Sequence, residues 1–185
     1  MDWLFRSRNF YPLDYQKTVF DIDYRQLAAS GVKMLLIDLD NTLIPYDQTA
    51  PNARIEALFA HLRELRLQVA IISNNHQTRV EPFARQLGVP FVASAKKPFR
   101  FGFRRAQALF PDIRPAEILV IGDQFMTDVL GANRMGFSVI VVDAIKREVE
   151  KWFTKINRRL EKRVLARMKK RDLPYYQRLG LDEKR

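Results

Sequence analysis

The chain has no cysteine, only two histidines and no long apolar run. Without cysteine, a disulfide framework, thiolate metal sites and a cysteine nucleophile are all excluded. His61 and His76 are too few for a histidine-rich metal site, and every apolar run is far shorter than the ~18 residues of a spanning helix. Residues 1–6 lack the basic start and apolar run of a signal peptide. We therefore expect a cytoplasmic protein.

Acidic residues are scarce in one part of the chain, where almost all of the excess positive charge lies. The formal net charge is +11 over 185 residues. Residues 1–145 carry 17 basic and 15 acidic side chains, whereas residues 146–171 carry 12 basic and 3 acidic ones. The remaining residues, 172–185, carry 3 of each. The basic character therefore belongs to one appended segment and not to the body of the protein.

Short apolar runs alternate with segments of helical period from residue 32 onward. The predicted strands are Met34–Ile37, Val69–Ile72, Val89–Val92, Ile118–Ile121 and Val139–Val142. The predicted helices are Asn52–Arg66, Gln77–Leu87, Phe101–Phe110 and Thr127–Met135, with Gly88 and Gly136 as stop signals. Most of the runs are continuously apolar, as in strands that are buried on both faces. This alternation predicts an α/β fold with a parallel sheet, whose ligands bind at the carboxyl ends of the strands.

Four segments follow from this pattern. Residues 1–31 are an aromatic-rich segment that we expect to pack onto the domain, with a partner or membrane contact as the alternative. Residues 32–145 form the α/β core, and residues 172–185 form a tail that we expect to be irregular. Between them, residues 146–171 have apolar side chains three and four positions apart, which predicts a basic amphipathic helix. These side chains are Val149, Trp152, Phe153, Ile156, Leu160, Val164 and Met168.

The first predicted strand ends in two carboxylates, Asp38 and Asp40, that are separated by one residue. Side chains two positions apart on a strand point the same way, and such a pair is unfavourable unless a cation or a proton separates their roles. The pair suits Mg²⁺-assisted phosphoryl transfer, in which one carboxylate attacks phosphorus and the other transfers the leaving-group proton. The structural alternative is a turn with two solvated aspartates.

Three further polar groups follow later strands. Ser73 offers a hydroxyl to a phosphate oxygen, and Lys97, with Lys96 as a rival, offers a cation. The fourth strand is followed by Asp123 and Asp128, which could hold Mg²⁺. Each group has a structural explanation by itself, as a helix cap, a surface lysine or a turn. Their occurrence in order at successive strand ends favours a common site.

In this order, the motifs resemble those of the haloacid dehalogenase (HAD) superfamily of phosphatases over roughly Lys33–Asp143. The resemblance implies a single Rossmann-like domain with helices on both faces of the sheet. It implies that Asp38 is the nucleophile that becomes an aspartyl-phosphate and that Asp40 is the general acid and base. It also implies the binding residues, which are Ser73, Asn74 and Lys97 for the substrate and Asp38, the carbonyl of Asp40, Asp123 and Asp128 for Mg²⁺. Lysine directly before proline is the family pattern, which favours Lys97 over Lys96.

A narrower resemblance connects the chain to the YqeG family, in the capless subclass IIIA. It rests on Ser73-Asn74-Asn75, Ala95-Lys96-Lys97-Pro98 and Gly122-Asp123-Gln124-Phe125-Met126-Thr127-Asp128, and the basic segment fits that family's C-terminal extension. Eukaryotic proteins similar to this family dephosphorylate phosphatidylglycerophosphate. The 35 positions from Asp38 to Ser73 and the 24 from Ser73 to Lys97 leave no room for a cap domain. An uncapped site favours a substrate that is a macromolecule or a membrane lipid.

These observations leave several functions open. The leading hypothesis is hydrolysis of phosphatidylglycerophosphate by a protein that is peripheral on the inner face of the membrane. In this hypothesis, residues 146–171 bind the anionic membrane surface. The alternatives are a phosphatase of soluble nucleotides or sugar phosphates, and a protein that binds RNA or ribosomes through the basic segment. Tyr46, Asp47 and His76 are weaker candidates for substrate contacts.

Overall fold

A six-stranded parallel sheet forms the centre of the computed structural model, which describes residues 7–148 and 152–181. The strands are β1 (Asp14–Gln16), β2 (Met34–Ile37), β3 (Gln68–Ile72), β4 (Phe91–Val92), β5 (Ile118–Gly122) and β6 (Ser138–Val142). They lie in the order β1-β6-β5-β2-β3-β4. At the end of β2, Ile37 is paired with Ile71 of β3 and Ile121 of β5. The polar groups that follow these three strands are therefore neighbours.

Helices cover both faces of the sheet, which confirms the predicted fold class. In the part of the chain that the structure describes, they are α1 (Tyr24–Ala29), α2 (Ala53–Glu64), α3 (Gln77–Leu87), α4 (Arg100–Gln107), α5 (Leu130–Met135), α6 (Trp152–Arg171) and α7 (Leu173–Arg178). Helices α1 to α3 pack on one face through side chains such as Phe59 and Phe83. Helices α4 to α7 pack on the other face through Phe103, Val164 and Tyr176.

The helix limits agree with the apolar pattern to within a few residues. Helix α3 spans Gln77–Leu87 as predicted, and Gly88 and Gly136 end α3 and α5 with left-handed φ angles of 67° and 74°. The helix predicted over Thr127–Met135 is instead divided into a π-helical turn, Phe125–Val129, and α5. This turn directly follows β5, so its irregular backbone lies beside the end of the central strands.

The N-terminal segment contributes elements that its sequence does not indicate. Strand β1 pairs with β6 at the edge of the sheet, and it lacks the apolar run by which the other strands are recognised. Tyr15 is buried there, and its hydroxyl donates a hydrogen bond to Asp143. Phe10 and Tyr24 are also buried, so these aromatic side chains pack into the domain as expected. Trp3 and Phe5 lie outside the described residues.

The C-terminal segment is more closely integrated than its charge suggests. Of the helix predicted over residues 146–171, α6 covers Trp152–Arg171, whereas residues 146–148 are not helical. In α6, Val164 and Met168 are buried against the core, so these two residues are not available to a membrane interface. Ile156 is exposed. The structure does not describe Val149 or the side chains of Trp152 and Phe153. The prediction of an irregular tail is wrong for Leu173–Arg178, which forms α7. None of the helices among the described residues has the length and apolar character needed to cross a bilayer.

Candidate active site

The carboxyl ends of the central strands meet at a cleft of about 1020 Å³. Its walls come from the loops after β2, β3, β4 and β5 and from α5 and α6. The lining residues are Asp38, Asp40, Tyr46, Ser73, Asn74, Asn75, Lys97, Pro98, Phe99, Arg100, Gln124, Met126, Thr127, Leu130, Arg134 and Asn157. From Asp38 to Ser73 the chain contains only α2 and β3, and from Ser73 to Lys97 only α3 and β4. The cleft is therefore bordered by loops in both of these intervals.

A buried lysine connects two of the predicted carboxylates. The Lys97 ammonium lies 2.7 Å from Asp38 Oδ1 and 2.6 Å from Asp128 Oδ1, and it donates to Ile72 O at 3.1 Å. Burial disfavours this ammonium, yet Asp128 and Asp38 together hold the pKa of Lys97 above its ordinary value. Lys96 is exposed, whereas Lys97 is buried beside Asp38. The role of Lys97 in binding the substrate stays a prediction.

Glycine at position 122 is required by the close approach of Asp128. A Cβ atom on Gly122 would lie 2.4 Å from Asp128 Cγ, a distance that real contacts do not reach. The carboxylate of Asp128 accepts hydrogen bonds from Gln124 N at 3.2 Å and Thr127 Oγ1 at 3.1 Å. The glycine thus lets the π-helical turn fold back over the end of β5 and bring Asp128 to Lys97.

Three acidic side chains form a cluster that fits a divalent cation. Oxygen atoms of Asp38, Asp123 and Asp128 lie within 4.8 Å of one another, and all three residues are buried. Burial raises the pKa of Asp38 well above its ordinary value, with Lys97 opposing this rise and the neighbouring carboxylates adding to it. Asp38 and Asp128 share one ammonium, so a bound divalent cation would relieve their repulsion. Carboxylate oxygens are also the ligands that hard cations prefer.

The side chain of Asp40 is held by a residue that sequence reasoning missed. Arg79, in the first turn of α3, donates to Asp40 Oδ1 at 2.7 Å, and Asn75 donates to Asp40 Oδ2 at 3.1 Å. This side chain is not part of the acidic cluster, and the backbone carbonyl of Asp40 as a metal ligand stays a prediction. The sequence feature that could have identified Arg79 is its position, six residues after Ser73 at the start of a helix.

Ser73 and Asn74 both reach the cleft, but they engage different neighbours. The Ser73 hydroxyl accepts from Asn75 N at 3.0 Å and lies 3.4 Å from Asp40 Oδ2. The Asn74 side chain forms two bonds with the backbone of Lys97, accepting from its N–H at 2.7 Å and donating to its carbonyl at 3.1 Å. Asn74 therefore fixes the loop that carries Lys97, a positioning contribution that its predicted role in substrate binding does not describe.

Asp123 is held from the opposite side of the cleft by α6. Arg158 donates to the Asp123 carbonyl at 2.8 Å and forms an ion pair with Asp123 Oδ2. Burial raises the pKa of Asp123 to about 7, and Arg158 opposes that rise. Glu161, itself buried, accepts from Phe125 N at 2.7 Å and from Arg158 at 3.1 Å. No local pattern in the sequence separates Arg158 from the basic residues around it.

The weaker candidates have separate environments. Tyr46 lines the cleft, as a residue in contact with a leaving group would. Asp47 forms an ion pair with Lys146 at 2.5 Å, so it joins two surface loops. His76 is exposed at the start of α3 and is not among the residues that line the cleft.

Comparisons with known proteins agree with this arrangement. The family model described as "Mitochondrial PGP phosphatase" matches residues 3–146. "Probable phosphatase YqeG" of Bacillus subtilis is 36% identical over 162 residues, which cover 88% of this chain and 93% of that protein. "Phosphatidylglycerophosphate phosphatase 1, chloroplastic" of Chlamydomonas reinhardtii is 27% identical over 155 residues, which cover 79% of this chain and 57% of that protein.

A solved structure supports the fold. The 3-deoxy-D-manno-octulosonate 8-phosphate phosphatase of Yersinia pestis superposes with a TM-score of 0.51 at 23% identity. The match covers 65% of this chain and 69% of that one. The family model ends at residue 146, so α6, which supplies Arg158, lies beyond the matched region.

Proposed function

The chain belongs to the mitochondrial PGP phosphatase family and is a HAD-type phosphatase, and from this premise we propose that it hydrolyses phosphatidylglycerophosphate to phosphatidylglycerol. The observation that carries the proposal is the buried group of Asp38, Lys97 and Asp128 at the floor of an open cleft, in a chain that matches the model of a PGP phosphatase family. The relative from Chlamydomonas reinhardtii supports the choice of lipid, since it is named for this substrate.

The proposed reaction begins with attack of Asp38 on the phosphorus atom. Asp38 has the position of a nucleophile because it is buried at the end of β2 and borders the cleft. The ammonium of Lys97 favours the ionised form of Asp38 and balances charge on the transferred phosphoryl group. The product of this step is an aspartyl-phosphate on Asp38, which water then hydrolyses.

Asp40 is proposed to give a proton to the departing glycerol oxygen and later to take one from the attacking water. Its carboxylate borders the cleft, and Arg79 and Asn75 fix its orientation. The hydroxyl of Ser73, which lies between Asp40 and the backbone of Asn75, is proposed to bind a phosphate oxygen.

Magnesium is the proposed cofactor. Asp38, Asp123 and the carbonyl of Asp40 would hold Mg²⁺ with support from Asp128, and the ion would supply positive charge to the phosphate oxygens. The buried cluster of three carboxylates supports this assignment. Arg158 and Glu161 contribute by fixing Asp123 and the π-helical turn, so the orientation of this carboxylate does not depend on the ion alone.

The substrate class is favoured by the open border of the cleft. With one helix and one strand in each interval between the motifs, the substrate itself must cover the site and exclude water. A phosphomonoester on a lipid headgroup meets this requirement, since the membrane surface lies next to it. We propose a peripheral position on the inner face of the membrane, with the exposed basic residues of α6 facing the anionic leaflet.

The decisive experiment compares phosphate release from phosphatidylglycerophosphate in mixed micelles with release from nucleotide and sugar phosphates. We expect kcat/KM to be highest for the lipid, activity to be lost with a chelator and restored by Mg²⁺, and the Asp38→Asn protein to be inactive in every assay. A higher kcat/KM for a soluble nucleotide or sugar phosphate would overturn the lipid assignment. Full activity in excess chelator would overturn the assignment of the metal.

A further inference from the structure

Large apolar side chains are exposed at few places on the described surface. They are Leu13, Phe99, Phe101, Leu109, Ile145, Ile156 and Leu173. The two most exposed are Phe99 and Phe101, with 66% and 59% of their surface accessible. Contiguous exposed apolar groups of this kind mark interaction surfaces.

Of these side chains, Phe99 lines the cleft, and Phe101, Ile156 and Ile145 come from segments next to it. Phe99 lines it directly, and Phe101 follows two residues later in the first turn of α4. Ile156 directly precedes Asn157, which lines the wall that α6 provides. Ile145 is close to the loop after β2, since its N–H donates to Asn41 O at 3.1 Å.

The part of the opening that the Lys97 loop and α4 provide is rich in positive charge. Residues 82–111, which include the Lys97 loop and α4, contain six basic residues and no acidic residue. Lys96, Arg100 and Arg104 are exposed in this stretch, and Arg100 also lines the cleft. Exposed aromatic side chains between exposed cations are the composition of a surface that enters the headgroup region of an anionic bilayer.

We propose that Phe99, Arg100 and Phe101, here named the aromatic rim, form a lipid-insertion element that seats the mouth of the cleft on an anionic phospholipid surface. The proposal rests on the proposed function, and it identifies the part of the protein that contacts the lipid layer. The aromatic rings enter the layer, while Arg100 remains at the level of the phosphates. In α6, Val164 and Met168 are already buried in the core, so the rim provides the apolar contact that these residues cannot provide.

Both the position and the composition of the aromatic rim favour a lipid surface as its binding partner. A phosphomonoester headgroup must reach Asp38 at the floor of the cleft while its acyl chains remain in the bilayer. The residues at the opening therefore touch the membrane whenever the lipid is bound. Negative lipid charge also complements the basic stretch, which contains no acidic side chain that would repel it.

The absence of cysteine permits a direct test by single-site labelling. Phe101→Cys, labelled with an environment-sensitive fluorophore, is mixed with vesicles of phosphatidylcholine containing phosphatidylglycerol. The matched control is Leu13→Cys, since Leu13 is similarly exposed at 48%. The N–H of Leu13 donates to Val139 O near the amino end of β6, so Leu13 lies at the end of the sheet opposite the cleft. We expect a blue shift and quenching by brominated lipid only for the label at position 101.

A second measurement uses the unlabelled Phe99→Ser/Phe101→Ser protein, with Leu13→Ser as its control. Partition onto the same vesicles should fall by about tenfold for the double variant and remain unchanged for the control. For Phe101→Ser, the loss of kcat/KM on lipid substrate should exceed the loss on p-nitrophenyl phosphate by a similar factor. Both substituted positions are exposed, so the substitutions leave the core intact.

The outcomes separate this proposal from the proposed function. The vesicles contain no phosphomonoester, so insertion of the label at position 101 is measured independently of hydrolysis. If the label inserts but the protein does not hydrolyse the lipid substrate, the proposed function is wrong and the docking surface is not affected. Hydrolysis of the lipid, with equal signals from labels at 101 and 13, would overturn the docking surface alone. If the double variant loses self-association in sedimentation but keeps full vesicle binding, then the rim is a contact between copies of the chain, and the proposal is wrong.

Discussion

The candidate active site is held together from two sides, and these sides are encoded differently. On the sheet side, the loops after β2, β4 and β5 bring Asp38, Lys97 and Asp128 into contact within the region that the family model matches. On the helix side, α6 lies beyond that region and reaches Asp123 through Arg158. A segment that its charge marks as an appended element thus contributes to the active site, through Arg158, which holds Asp123, and through Asn157, which lines the cleft.

The two sides also differ in what they do with positive charge. Lys97 is buried and shared between two carboxylates, so its charge is used inside the site. Among the basic residues of α6 whose side chains the structure describes, Arg158 is the one that is not exposed, since its side chain is only 12% accessible. Burial, and not the density of charge, identifies the cation that matters to the chemistry. The predictions below test this difference, in order of decreasing effect.

The largest effect is expected on the sheet side, from Asp38→Asn. This substitution keeps the shape of the side chain and removes the attacking charge, so kcat should fall by about 10³-fold or more. Phosphate release from lipid and from p-nitrophenyl phosphate checks this expectation. Asp47→Asn is the matched control, since Asp47 lies on the following surface loop and pairs with Lys146. Near-normal turnover in Asp38→Asn would rule out the covalent mechanism.

The next effect separates two adjacent lysines. Lys97→Met leaves Asp38 and Asp128 without their shared cation, so we expect activity to fall by about 10³-fold. The free energy of unfolding should decrease by about 3 kcal/mol, as measured by denaturant titration. Lys96→Met changes an exposed side chain, and both quantities should remain close to those of the wild type. Equal effects at the two positions would contradict the assignment of Lys97.

The helix side is tested by Arg158→Gln, with Arg159→Gln as the control on its exposed neighbour. Without the guanidinium, Asp123 is no longer held in place and Glu161 loses one hydrogen bond. Mg²⁺ affinity and kcat/KM should therefore each fall by about 10- to 100-fold. Calorimetric titration with Mg²⁺ distinguishes this effect from a general loss of fold. If the two variants behave alike, α6 is attached to the domain but has no part in holding the site.

The smallest effect concerns the exposed face of α6. Replacing Arg159, Lys162 and Arg163 with Gln should reduce binding to anionic vesicles by about tenfold and weaken its dependence on salt. A matched variant replaces Arg25, Arg66 and Arg85, which are exposed and lie in or beside helices of the opposite face. It removes the same charge and should bind nearly as the wild type does. If the α6 variant instead loses only RNA binding in a gel-shift series, the membrane role of this face is wrong.

Much of the sheet could be predicted because its signals are local. Continuous apolar runs identified β2, β3, β5 and β6 to within one residue, and Gly88 and Gly136 ended their helices as expected. The polar residues after these runs could be grouped without coordinates, since parallel strands end at one edge of a sheet. Strand β1 could not be found in this way, because its three residues depend on pairing with β6.

The sequence by itself determined the order of the strands along the chain and the residues that follow them, which include Asp38, Asp40, Ser73, Lys97, Asp123 and Asp128. Apolar periodicity and turn chemistry act over a few residues, so they can be read without a fold. Only the tertiary structure decided that Arg79 pairs with Asp40 and that Arg158 pairs with Asp123. These pairs join residues 39 and 35 positions apart. Which arginine of a basic helix is buried depends on how that helix packs against the sheet, and neighbouring residues do not record it.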